Sequence, residues 1–359
     1  MKRLLYKLLQ LWSRRHPTKK SIDPTLVKSI LILRYDAIGD MIVTIPMIDY
    51  LRELCPEARI DVVTSPSNDQ ILNATSAYSC RHVFDRTLGG LVRVKKSVRK
   101  GGYDLVFSLV INKTTLAGFL ANILGGRVST TVSFEHANRR DLYQTWFNIQ
   151  VPQERGRDVM TVMQLNLVGH VFGQSPDPLR FPLHLTLSAD ELAFARRSMS
   201  WMSGLRIVLN LSAGNSYRMW SEERNEECIR GLLQSGQPLT ISLIGHGGRR
   251  AMADRLAELF PDVVRVIPPG TFLQTAACLT ECDLLVTPDT SMVHAASALK
   301  TPVFVLFTRR ATFINEWMPH GVPFDYVITE GQEDLESIDP LVAVDGLVQF
   351  CARLRRDHV

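Results

Sequence analysis

Three short stretches hold the side chains best placed to do chemistry in this 359-residue chain. The first is Arg34-Tyr-Asp-Ala-Ile-Gly-Asp40, where an aliphatic run ends in a charged turn and passes into apolar residues at helical spacing. Arg34, the acids Asp36 and Asp40, and Gly39 thus sit where a strand's carboxyl end hands over to a helix, the place where open α/β sheets bind ligands. The second is the polar loop Ser212-Ala-Gly-Asn-Ser-Tyr-Arg218. Gly214 lets a ligand approach the backbone, Asn215 and Ser216 can bond sugar or phosphate oxygens, and the Arg218 fork can clamp a phosphate through two parallel bonds. The third is Asp289-Thr-Ser-Met-Val-His294, which opens a helix after a strand. Free N–H groups and the positive end of the helix dipole favour anions at Asp289, Thr290 and Ser291, phosphate above all. His294, four residues past Thr290, faces the same side. Each stretch also has a plainer reading, with Asp40, Asp289 and Thr290 as helix caps, Gly39 as a turn residue and His294 as a packed histidine.

The elements that must position these residues follow from hydrophobic period. Ile30–Leu33 has no alternation and reads as a strand buried on both faces of a parallel sheet. From Asp40 onward Met41, Ile42, Ile45, Ile48 and Leu51 recur at helical spacing. Arg59–Thr64, Tyr103–Leu109 and Arg127–Val132 read as further strands, with helices at Asn68–Ala77, Leu91–Lys100, Thr114–Leu124 and Asp158–Phe172. Strands that alternate with helices predict βαβ units and a parallel sheet. Proline density between Gly173 and Pro182 resists helix and sheet interior alike, and predicts a linker over residues 174–187. Ser188 and Glu191 then open a helix at capping-box spacing. The second half repeats the alternation, with strands at Leu205–Leu211, Leu239–Ile244, Asp283–Val286 and Pro302–Phe307 and helices at Ser221–Leu233, Thr290–Leu299 and Asp345–Arg355. The expected organisation is an α/β chain with two Rossmann-like domains, 25–173 and 188–359, facing each other across a cleft between their strand ends, preceded by a basic segment, 1–24.

Composition removes several classes. The net charge of +5 is concentrated in the first twenty residues, so the body is near balance and nucleic-acid binding is not expected. The six cysteines show no CxxC pair, which argues against structural zinc and a disulfide framework and suits a reducing cytoplasm. Cys278 and Cys282 lie one helical turn apart in an apolar stretch and read as core. Gly245-His-Gly-Gly248 lacks the third glycine of a dinucleotide fingerprint, and Walker A, HExxH and GxSxG patterns are absent. No metal and no cofactor is expected. Met1 to Lys20 places Leu4, Leu5, Leu8, Leu11 and Trp12 on one helical face and basic residues on the other. That is the composition of an interfacial membrane helix, too short and interrupted to span a bilayer, although a tail docked on its own domain has the same pattern.

Taken together, the three stretches resemble glycosyltransferase family 9, the ADP-heptose:lipopolysaccharide heptosyltransferases, over roughly Ser29 to the closing helix. The resemblance implies a GT-B fold with the donor mainly on the second domain. It implies Asp40 as the general base; Arg34-Tyr-Asp36 adds an acid close to it, and Arg34, Asp36 and Gly39 are read as acceptor-binding or auxiliary residues. Arg218 stands where the family commonly has a phosphate-binding lysine, and Ser212, Gly214, Asn215, Gly245, Asp289, Thr290, Ser291 and His294 fall on the donor side. It further implies inverting transfer of a heptose or related sugar from an ADP-sugar to a lipopolysaccharide core or other lipid-linked saccharide. The substrates are then a nucleotide sugar, in the role of donor and not of cofactor, and a lipid-linked acceptor met at the cytoplasmic face of the inner membrane. Gly248-Arg249-Arg250 departs from the acidic residue the family often has there. That departure keeps open a GT-B paralogue that binds a nucleotide sugar without turning it over, and a sugar-nucleotide epimerase is a third alternative.

Overall fold

In the computed structural model the described residues are 15–18, 21–100, 102–111, 114–136, 140–153, 155–310 and 313–357. The chain divides into two units, Met1–Pro182 and Leu183–Val359. Residues 1–14, the larger part of the predicted amphipathic segment, lie outside the described residues.

In the first unit the strands are β1 (Ser29–Leu33), β2 (Arg59–Thr64), β3 (Cys80–Val83), β4 (Leu105–Ser108), β5 (Thr130–Phe134) and β6 (Ile149–Val151), and the helices are α1 (Ile38–Ile42), α2 (Ile45–Leu54), α3 (Leu88–Ser97), α4 (Thr114–Gly125), α5 (Arg140–Trp146) and α6 (Met160–Phe172). The sheet order is β3-β2-β1-β4-β5-β6, with β1 in parallel register to β2 (Leu31 opposite Asp61) and to β4 (Ile32 opposite Phe107). Every residue of β1 and β4 is buried, because helices cover both faces of a parallel sheet. β3 and β6 are short edge strands that the apolar-run reading does not anticipate. The helix after β2 is only a 3-10 turn, Asp69–Ala74. α6 stops at Gly173, whose left-handed φ of 66° costs nothing without a Cβ. At the amino end, Arg15 donates from its backbone to Thr145 O (2.8 Å), and its guanidinium bonds Asn122 Oδ1 and the carbonyls of Gly126, Arg127 and Ser129. It thereby pins the turn between α4 and β5, whose carbonyls it serves.

In the second unit the strands are β7 (Leu205–Asn210), β8 (Leu239–Ile244), β9 (Val264–Val266), β10 (Leu284–Pro288), β11 (Val303–Phe307) and β12 (Phe324–Ile328), and the helices are α7 (Ala189–Met199), α8 (Glu222–Gln234), α9 (Arg250–Leu259), α10 (Phe272–Ala277), α11 (Ser291–Leu299) and α12 (Pro340–Asp357). The sheet order, β12-β11-β10-β7-β8-β9, is that of the first unit read from the other edge. Both are the strand order of dinucleotide-binding Rossmann domains, and in each the direction of winding reverses beside the first strand, between β1 and β4 and between β7 and β10. The α7 capping box forms as predicted, Ser188 accepting from Glu191 N and Glu191 from Ser188 N. Cys278 and Cys282 are buried, as expected of core cysteines. Among the described residues no helix is long and apolar enough to cross a membrane.

Candidate functional site

At the reversal point of the first sheet the chain leaves β1 through Arg34, whose N–H still bonds Val63 O (2.9 Å). The turn is earlier than the sequence suggests. Ala37 is the N-cap, Gly39 lies inside the first helical turn, and Asp40 is the third helical residue rather than the first. Asp40 Oδ2 accepts from Ala37 N at 3.3 Å, so part of the cap role is real. Helix α1 then breaks before Pro46, whose ring would clash with the carbonyl four residues back. The break leaves the Asp40 carbonyl to other donors: Thr44 Oγ1 at 2.7 Å and Arg34 Nε at 2.8 Å.

Arg34 is completely buried. Its Nη1 donates to Leu109 O (2.7 Å) and Asp36 Oδ2 (3.1 Å), and its Nη2 lies 3.1 Å from Asp40 Oδ1 without hydrogen-bond alignment. Arg34 is therefore closed to direct contact with a ligand, and its side chain is bonded to Leu109, Asp36 and the Asp40 carbonyl. Asp40 keeps 20% of its side chain exposed and Asp36 17%. Burial pushes the Asp36 carboxyl up to about 7, against the pull of Arg34 and with the push of Asp40. Its Oδ1 is buried without a partner. Asn68, which sequence reading missed, fixes the turn from the β2 side. Its amide donates to Arg34 O (2.9 Å) and Ala37 O (3.3 Å), and its Oδ1 accepts from Ser65 N. Arg86, also missed, donates to Tyr35 O at 2.7 Å. The only signal for Asn68 is a polar residue just past the apolar strand β2.

At the reversal point of the second sheet, Asn210 closes β7. Its amide donates to Thr287 Oγ1 (2.9 Å) and Thr290 Oγ1 (3.3 Å), and its Oδ1 accepts from Ser212 N. Sequence reading did not single out this asparagine, which joins two of the three predicted stretches. Ser212 Oγ in turn accepts from His246 N at 2.7 Å. Gly245 is needed for packing, because a Cβ there would lie 2.7 Å from Ala253 Cβ and 2.8 Å from Arg249 O. Gly214 and Asn215 are exposed, and a Cβ on Gly214 would meet nothing within 4 Å.

Arg218 ends a short 3-10 turn, and its Nη1 lies 3.0 Å from both Asp289 O and Asp289 Oδ2. Its Nε is buried and unpartnered. Burial raises the Asp289 carboxyl above its usual range, and the Arg218 charge opposes the shift. Thr290 is the N-cap of α11 and accepts from Met292 N (3.3 Å), while Ser291 opens the helix. His294 is buried with its ring 5.7 Å from that of Trp317. The structure thus brings Arg218, Asp289, Thr290, Ser291 and Ser212 to one strand-end region. Arg249 and Arg250 are tied down beside it, Arg249 to Trp220 O (3.1 Å) and Arg250 to Asp254 (2.9 Å). Tyr217, which the sequence did not flag, packs its ring against both Arg218 and Arg310.

Residues 91–321 match the model of glycosyltransferase family 9 (heptosyltransferase). The chain is 21% identical over 344 residues to lipopolysaccharide heptosyltransferase 3 of Escherichia coli, covering 86% of this chain and 96% of that one. Among solved structures it is similar to the ADP-heptose lps heptosyltransferase II of E. coli (TM-score 0.71, 16% identity, 91% and 99% of the two chains). It is similar also to E. coli heptosyltransferase WaaC with ADP (TM-score 0.65, 20% identity, 90% and 98%). These likenesses establish the GT-B class of the fold.

Proposed function

Because this chain belongs to glycosyltransferase family 9, we propose that it is an inverting heptosyltransferase, moving a heptose or related sugar from an ADP-sugar to a lipopolysaccharide core or another lipid-linked saccharide. The observation that carries this reading is Asp40, a partly exposed carboxylate paired with a wholly buried arginine 3.1 Å away at a sheet's reversal point. In the reaction the acceptor oxygen attacks the anomeric carbon while Asp40 takes its proton. The bond from that carbon to the diphosphate oxygen breaks on the opposite side. The second unit supplies what the leaving diphosphate needs: the Arg218 guanidinium, which can trade Asp289 for phosphate, and the start of α11 at Ser291. The donor assignment draws on the ADP bound to WaaC and on the ADP-heptose in the name of heptosyltransferase II.

The non-catalytic alternative drew on Arg249 and Arg250, and their bonds to Trp220 and Asp254 give those charges a structural task. Asp40→Asn tests the assignment. It should bind ADP-heptose like the wild type in a calorimetric titration while transfer to a truncated lipopolysaccharide core falls at least about 100-fold, the scale of lost general-base catalysis. Near-normal turnover would remove Asp40 from the mechanism, and a wild-type chain that binds the donor without transfer would make it a binding protein.

A further inference from the structure

Two carboxylates lie against one buried guanidinium, Asp36 and Asp40 each 3.1 Å from Arg34. Arg34 needs a single anion to offset its burial. With both ionised, Asp36 and Asp40 repel each other across the guanidinium that lies against both, where partial burial strengthens the interaction of like charges, and Arg86 offsets only part of it. The two acids are not equivalent. Asp40 has the larger solvent exposure and an N–H on Oδ2. Asp36 has one oxygen on Arg34 Nη1 and the other buried with no partner.

Resting on the transferase reading above, we propose that Asp36 is a positioning residue. Through the Arg34 guanidinium it shares with Asp40, its charge sets how strongly Asp40 draws the proton of the acceptor hydroxyl. With Asp36 neutral, Arg34 is committed to Asp40 and weakens it as a base. With Asp36 ionised, proton transfer to Asp40 relieves the crowding of two anions and leaves one carboxylate opposite one guanidinium. The proton balance is simple: the hydroxyl proton ends on Asp40, and Asp36 exchanges its own proton with solvent beforehand. The groups that face Asp36 fit this assignment. Arg34 comes from the end of β1, Asp40 from α1 and Arg86 from the loop after β3, its charge opposing the rise in the Asp36 carboxyl. From the β2 loop Ser65 bonds the Asp36 carbonyl and Ser67, and Asn68 bonds the Arg34 carbonyl, while the end of β4 gives the Leu109 carbonyl to Arg34. The neighbouring Tyr35 hydroxyl is buried, and its proton is held by that burial and by the Asp36 charge. The Asp36 carboxyl, raised by burial to about 7, places this change of charge within the working range.

The experiment is kcat against pH, from about pH 5.5 to 8.5, with both substrates saturating. Wild type should rise through an inflection near 7. Asp36→Asn should lose the inflection, falling about tenfold below wild type at pH 8 and staying within about threefold at pH 6, while Asp36→Glu restores it. Arg34→Lys, which keeps the charge but cannot reach both acids in the same fork, should displace the inflection. An Asp36→Asn enzyme with the wild-type profile overturns the proposal, as does one reduced by an equal factor at every pH. If Asp36→Asn does not fold, an unmoved inflection in Arg34→Lys overturns it instead. The transferase reading fails by a different result, Asp40→Asn turning over normally.

Discussion

Asp36 makes a second demand that can be measured without any substrate. A carboxyl whose native pKa is raised binds its proton more tightly when folded, so its contribution to stability is present at low pH and is lost as pH rises. For Asp36 the range runs from its ordinary value, 3.8, to about 7. Between pH 5 and pH 8 the unfolded aspartate is already ionised, while the native one gives up its proton over about two pH units. At about 1.36 kcal/mol per unit, wild type loses roughly 2–3 kcal/mol from this group across that interval. Asp36→Asn resembles the protonated state at every pH: it keeps an oxygen for Arg34 Nη1 and leaves Asp40 as the single anion. The variant should therefore gain on wild type by about that amount between pH 5 and pH 8. Comparing the two proteins at each pH cancels other titrating groups, among them Asp61 and Asp283, whose carboxyls are held below their usual range by hydrogen bonds that outweigh burial. Because a two-unit chain need not unfold in one step, native-state hydrogen exchange of the β1 amides Leu31 to Leu33 is the assay. A gap between variant and wild type that is the same at pH 5 and pH 8 would show that Asp36 is ionised throughout, and would refute the reasoning.

Arg218→Ala should raise the ADP dissociation constant about 10- to 100-fold by calorimetry, the worth of a charge-assisted contact, and also lower the melting temperature, because it leaves the buried Asp289 carboxyl without its cation. Gly245→Ala puts a methyl within 2.8 Å of the Arg249 carbonyl and should cost about 1–3 kcal/mol in chemical denaturation, whereas Gly214→Ala, facing open space, should cost under about 1 kcal/mol. Arg15→Ala strips donors from the carbonyls of Gly126, Arg127 and Ser129. Since water can replace part of what is lost at this half-buried position, destabilisation of about 1–2 kcal/mol is expected, seen as faster hydrogen exchange in the last turn of α4.

The central strands were legible because burial on both faces leaves an unbroken aliphatic run, as in Ile30 to Leu33, and no other requirement competes with it. The edge strands were not. β3 reads Cys-Arg-His-Val and β12 reads Phe-Asp-Tyr-Val-Ile, and a strand with one partner tolerates polar residues that erase the run. Helix starts were off by a few residues for a related reason. Asp40 looked like a cap by type, but the cap is Ala37, chosen by backbone geometry and by Asn68 from the next loop.

The same limit separates what the sequence shows of the site from what it hides. Asp40 and Arg218 stand out because an acid or a cation beside a strand end is unusual within a few neighbours. Their partners are distant: Arg34 reaches Leu109 across 75 positions, Asn210 reaches Thr287 across 77, and Arg218 reaches Asp289 across 71. In each case the partners meet because β1 lies beside β4 and β7 beside β10, so one rule of sheet order creates both sites. The reversal point lacks a crossover helix over the strand ends, which leaves room for a ligand and also for polar side chains that need partners. A buried cation such as Arg34 is tolerable there only if the second strand offers a carbonyl and the turn offers a carboxylate. Arg34→Met should therefore disable Asp40 and loosen the β1–β4 junction together. Arg34→Lys should keep much of the fold and still misaim the base, so a loss of turnover without a matching loss of β1 amide protection would separate the guanidinium's aim from its charge.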